Sequence, residues 1–100
     1  MPKIYEYFGL IFLFYANDHK PVHVHVKNGE YQNKLEFVYE KGKLKHVLVK
    51  AIKGKKGLSE SMIKVALKFV KAKEHEISQK WLDFFAKGKK IVCEKITKKL

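Results

Sequence analysis

Residues 17–27 read Asn-Asp-His-Lys-Pro-Val-His-Val-His-Val-Lys and hold three of the chain's five histidines, one aspartate and one of its two prolines. Imidazole is the side chain that exchanges protons near neutral pH, so this run concentrates the groups able to do chemistry there. Three readings compete for it. In the first, His23 and His25, with Asp18 or His19, supply the nitrogen and oxygen donors that a divalent metal such as zinc, nickel or iron prefers. In the second, a solvent-accessible His23/His25 pair beside Asp18 is a general acid/base set, able to cleave RNA without metal if lysines hold the phosphates. In the third, Asp18 and His19 cap a turn, and His23 and His25 hydrogen-bond to neighbouring strands or to a partner surface. His46 and His75 stand alone in the sequence and read as structural or solvated.

A second set of candidates is cationic. Lys64, Lys68 and Lys71 recur at spacings of four and three, which aligns them as a ridge on one helix face, with His75 as its continuation. Such a ridge is either a phosphate-tracking surface or the solvated back of an amphipathic helix. Lys55 and Lys56 lie in a Gly-Lys-Lys-Gly loop that could hold an anion, although it has neither Walker nor Rossmann spacing. The chain carries 22 basic and 10 acidic residues, a formal charge of +12, and every basic residue is lysine. Lysine is a point charge without arginine's two-pronged donor fork, so binding to nucleic acid should be sequence-blind and salt-sensitive. The opposing reading makes the lysines a solvating surface with no partner.

The histidines need a strand to aim them. Val22, Val24 and Val26 alternate with His23, His25 and Lys27, and a period of two sends the two sets to opposite faces. The valines take the core, so the imidazoles project together away from it. Asn17 to Pro21 reads as a turn that brings Asp18 and His19 back toward His23. Upstream, Lys3 to Phe8 and Leu10 to Tyr15 read as a hairpin, or one bent strand, about Gly9, and the second run is apolar on both faces as a central strand would be. Asn28-Gly29 signals the next hairpin. Strands over Tyr31 to Glu40, with Leu35, Phe37 and Tyr39 on one face, and over Leu44 to Ile52 complete a five-stranded antiparallel meander.

Past Gly54 to Gly57 the apolar period becomes helical. Ser59 is a candidate N-cap, and Ile63, Ala66, Leu67, Val70, Ile77, Trp81, Phe84 and Phe85 share a stripe through Ala86. Glu74 is the one polar position on that seam, which makes the segment one long helix or two meeting near Glu74 to Ser78. Gly88 ends it. The fold class is therefore α+β: a sheet over 3–52, a helical part over 59–87 packed on one face, and a short terminal strand over 90–96.

One hundred residues with 46% apolar content suit a single domain over 1–100. Cys93 is the only cysteine, so no internal disulfide forms, and no apolar run approaches the ~20 residues of a membrane helix. A soluble, cytoplasmic protein is expected. A homodimer that hides the histidine face is a further expectation.

The first third of the chain also resembles a known family. Met1-Pro2-x-Ile4, Gly9 before an apolar strand, and Asp18-His19-x-Pro21-x-His23-x-His25 are similar to the N-terminal signature of the bacterial domain-of-unknown-function family 4160. That family typically reads Asp-His-x-Pro-Pro-His-Phe-His-Ala at this run. Tyr31, Leu35-Glu36-Phe37, Gly42, Trp81, Gly88 and Lys89-Lys90-Ile91 sit where its later landmarks would be. The chain departs from the pattern at Val22, Val24, Val26 and Lys73, and in a longer lysine-rich stretch between Gly42 and Ser59. The resemblance implies a compact α+β domain, often encoded beside another small domain and associated with toxin–antitoxin-like modules. It names no reaction, and it marks Asp18, His19, Pro21, His23 and His25 as site candidates. The expected function is a small basic interaction module for a partner protein or RNA, the alternative a ribonuclease-like or metal-dependent hydrolase using the Asp/His cluster.

Overall fold

The computed structural model describes residues 3–14 and 22–100. Strands β1 (Lys3–Tyr7), β2 (Leu10–Leu13), β3 (His23–Asn28), β4 (Tyr31–Glu40) and β5 (Lys43–Ala51) precede helices α1 (Glu60–Ala72) and α2 (Glu74–Phe85), and β6 (Glu94–Ile96) closes the chain. The sheet order is β5-β4-β3-β2-β1-β6, antiparallel throughout except that β6 runs parallel to β1. The expected five-stranded meander is thus extended to six strands, and the terminal strand expected over 90–96 shortens to three residues. Both helices lie on one face of the sheet.

Turn chemistry sets the register. Phe8 (φ 45°) and Gly9 (φ 84°) are the central residues between β1 and β2, and Lys41 (φ 53°) and Gly42 (φ 78°) those between β4 and β5. Positive φ at both central positions gives the primed turn that matches strand twist. Between β3 and β4 the expectation moves by one residue: Asn28 pairs with Tyr31, leaving Gly29-Glu30 as the loop. Asn28 is thereby freed to donate its Nδ2 to the carbonyl of Gly9 at 2.7 Å, tying two hairpin ends together. A Cβ on Gly9 would meet that nitrogen at 3.3 Å.

The core is an aromatic stack. Phe69 lies nearly parallel to Phe12 with ring centroids 4.7 Å apart, packs on Tyr7 at 4.6 Å, and meets Tyr5 edge-on at 5.2 Å. Phe14 extends the layer to Phe84 and Phe85, and Phe85 rests on Trp81 at 4.7 Å. Ser59 caps α1 as expected, its Oγ accepting from the backbone N–H of Met62 at 3.3 Å.

A single long helix does not form. From Glu60 to Phe85 it would span about 39 Å at ~1.5 Å per residue, longer than the 33 Å greatest extent of the domain. The break falls at Lys73 (φ −105°, ψ 15°), one residue before the Glu74 to Ser78 stretch expected for it, and both helices are capped through that residue. Glu74 stays largely shielded beside the break, accepting from Ser78 Oγ at 3.5 Å. Tyr5 Oη donates to Glu76 Oε2 at 3.2 Å, while Lys80 lies 5.4 Å over the Tyr5 ring and pairs with Glu94 at 3.0 Å, fastening α2 and β6 to β1.

The loop before α1 is held by Asn33, a buried side chain on β4. Its Oδ1 accepts from Leu58 N–H at 2.8 Å and its Nδ2 donates to the Lys50 carbonyl at 3.1 Å. Gly57 passes so close that an added Cβ would lie 3.3 Å from Asn33 Oδ1. Replacing Asn33 by Ala leaves a buried N–H without its acceptor, so chemical denaturation should show a loss of about 1–3 kcal/mol.

Candidate functional site

Alternation along β3 places the histidines as anticipated in direction. Val24 and Val26 are fully buried under the helices, in the main core cluster, while His23 and His25 project from the opposite face. Their rings stand side by side, centroids 5.6 Å apart at 70°. His23 is registered opposite Glu36, and His25 lies between Leu13 and Lys34. Glu36 also pairs with Lys50 at 3.2 Å, so this face carries alternating charge beyond the imidazoles.

Solvent access departs from expectation. His23 is 6% and His25 7% exposed, so the pair is a shielded polar element on the second face of the sheet. Asp18, His19 and Pro21 lie outside the described residues. His23 and His25 sit on one face as two nitrogen donors for a metal would, with Asp18 outside the described residues as their proposed third. Among the described residues no group of three or more His, Cys, Asp or Glu side chains converges as a metal cage would. His46 is exposed on β5, and His75 is fully exposed, its Nδ1 3.5 Å from Glu74 Oε2. Because the helix breaks at Lys73, His75 opens α2 and does not prolong the α1 ridge.

The lysine candidates are all at the surface. Lys64, Lys68 and Lys71 are exposed on α1, and Lys55 and Lys56 are exposed in the loop that Asn33 pins. Among the described residues, ion pairs engage Lys45, Lys50, Lys73, Lys80 and Lys87, and none of the five candidates. Glu60 is the only acidic residue of α1. Its outward face therefore carries three lysines against one carboxylate, that of Glu60 four residues before Lys64.

One feature of this side escaped the sequence reading. A groove of about 520 Å³ opens between the β1–β2 turn and α1, lined by Phe8, Leu10, Met62 and Val65 with Lys68 and Lys99 among its remaining walls. Phe8 is 55% and Val65 43% exposed. The available signal was the Phe8-Gly9 pair: a two-residue turn there puts an aromatic ring at a hairpin tip. No helix of the described residues is long and apolar enough to cross a membrane.

A family model described as "Domain of unknown function (DUF4160)" matches residues 9–82. No match was found among curated proteins or among solved structures.

Proposed function

Starting from the fact that this chain belongs to the DUF4160 family of domains of unknown function, we propose that it is a small basic interaction module that binds a polyanionic partner, an acidic protein or RNA. A paired, toxin–antitoxin-like system is the setting in which such a module would act. The observation that carries the reading is the state of Lys55, Lys56, Lys64, Lys68 and Lys71. Elsewhere on the surface Lys80 pairs with Glu94 and Lys87 with Asp83. These five stay exposed and, among the described residues, form no ion pair, and Lys64, Lys68 and Lys71 gather like charge on one helix, which costs stability. An incoming polyanion supplies the missing countercharge and releases condensed ions.

The hydrolase reading is the weaker one. A general base must reach a substrate proton within hydrogen-bonding distance, and His23 and His25 are both shielded. Their place between Leu13, Lys34 and Glu36 suits a buried polar contact better than a reaction centre.

The test is the salt dependence of binding to heparin and to single-stranded oligo(U). Replacing Lys64, Lys68 and Lys71 together by Gln should lower the slope of log affinity against log salt by about 2 for the RNA, from ~0.7 per phosphate contact. Replacing the paired Lys45 and Lys87 by Gln should leave the slope unchanged. Equal slopes for wild type and the triple variant would end the proposal.

A further inference from the structure

Lys68 of the α1 lysine ridge lines an apolar groove, and the two features together narrow the class of partner. Val65 lies one turn before Lys68 and beside the lysine ridge, and is 43% exposed where an amphipathic helix would ordinarily place a polar residue. Across the groove, Phe8 holds its ring 55% exposed, edge-on to Tyr7 at 4.9 Å. Its backbone sits at φ 45°, a left-handed conformation that disfavours a residue with a Cβ and that glycine adopts freely. The chain thus maintains a strained turn and an exposed ring at the same point. Leu10 and Met62 form the floor, and the unbranched thioether of Met62 can adapt to different shapes. Lys68 and Lys99 add positive charge to the walls.

An apolar centre with a charged rim is the anatomy of a protein-recognition surface. We infer that this groove docks a short amphipathic segment of an acidic partner protein, with apolar side chains seated among Phe8, Leu10, Met62 and Val65 and carboxylates reaching Lys68 and Lys99. The inference rests on the lysine reading above and adds the apolar half of the contact. Charge complementarity selects the occupant: a domain of formal charge +12 repels a second copy of itself and attracts carboxylates. Aliphatic walls favour side-chain insertion over base stacking, for which Phe8 is the one exposed ring among the described lining residues.

The experiment pans a phage library of random dodecapeptides against the full chain at physiological salt. Selected peptides are synthesised with a fluorophore and titrated by anisotropy, beside oligo(U), against wild type, Phe8→Gly, Val65→Ser and the triple lysine variant. Glycine suits the turn conformation and serine is close to valine in helix propensity, so both single variants should fold, which circular dichroism checks. The expected peptides combine Leu or Phe with flanking Asp or Glu, and each single variant binds them about tenfold more weakly, the loss of one well-seated apolar anchor. Purely acidic peptides, unaffected by Phe8→Gly and Val65→Ser but weakened by the lysine changes, would overturn the groove and keep the lysine reading. Peptides indifferent to all the variants would remove both. Weakening confined to oligo(U) would assign the groove to nucleic acid and defeat the inference.

Discussion

Phe69→Ala should destabilise the domain by about 3–5 kcal/mol, measured as the shift in free energy of urea unfolding. Phe69 is fully buried and is the one helical side chain in ring contact with Tyr5, Tyr7 and Phe12, joining α1 to β1 and β2 together. Its removal strips transfer energy and leaves a cavity bordered by rigid aromatic rings on a hydrogen-bonded sheet, which cannot collapse to fill it. Since a domain of this size holds only ~5–15 kcal/mol in total, a large part of the population should unfold near physiological temperature. Phe69→Leu, which refills most of the volume, should recover more than half of the loss. If Phe69→Ala shifted unfolding by less than about 1 kcal/mol, below the range for a buried aromatic, Phe69 would not be the hub of the core.

A crossover with pH is expected for Tyr5→Phe. Burial, then the negative charge of Glu76 and the hydrogen bond to it, with Glu94 adding to them, hold the Tyr5 hydroxyl well above its ordinary value. In the unfolded chain that hydroxyl ionises near pH 10, so above this pH the unfolded state sheds a proton that the folded state retains. Stability contributed by Tyr5 is therefore intact below about pH 10 and falls by roughly 1.4 kcal/mol per pH unit above it, until the folded hydroxyl also ionises. At neutral pH the variant lacks only the Glu76 hydrogen bond and should be less stable by about 1 kcal/mol. Near pH 11 the order should reverse, because phenylalanine has nothing to ionise. Paired urea titrations at pH 7, 9, 10 and 11 check this, and comparison within each pH cancels the concurrent discharge of the lysines. Parallel curves for the two proteins across that span would show that Tyr5 ionises in the folded state as freely as in the unfolded one.

Strand periodicity was legible because each β position has one of two fates. The alternation of Val24 and Val26 with His23 and His25, and of Leu35 and Phe37 with Glu36 and Val38, assigned faces that the folded sheet keeps. Turn glycines marked the hairpins to within a residue, and Ser59 marked the start of α1. The helical stripe was read less completely: Ile63, Ala66, Leu67 and Val70 were found, but Phe69 was not. On a helix lying flat on a sheet, two adjacent residues such as Phe69 and Val70 can both point inward, and only the packed sheet shows how wide the buried arc is. The break at Lys73 was likewise legible only as a polar interruption at Glu74; its position depends on how far the sheet extends beneath the helix.

By itself, the amino-acid order determined an α+β domain with its helices on one side, the imidazoles of His23 and His25 on the other, and a surplus of lysine on the surface. Those properties follow from periodicity and composition, which are local. Tertiary structure alone decided that the imidazoles of His23 and His25 are shielded, which lysines meet a carboxylate among the described residues, and that Phe8 and Val65 line one groove. Burial, pairing and concavity are relations between segments distant in sequence. Their energies come from desolvation and Coulomb terms that depend on which surfaces the fold brings together.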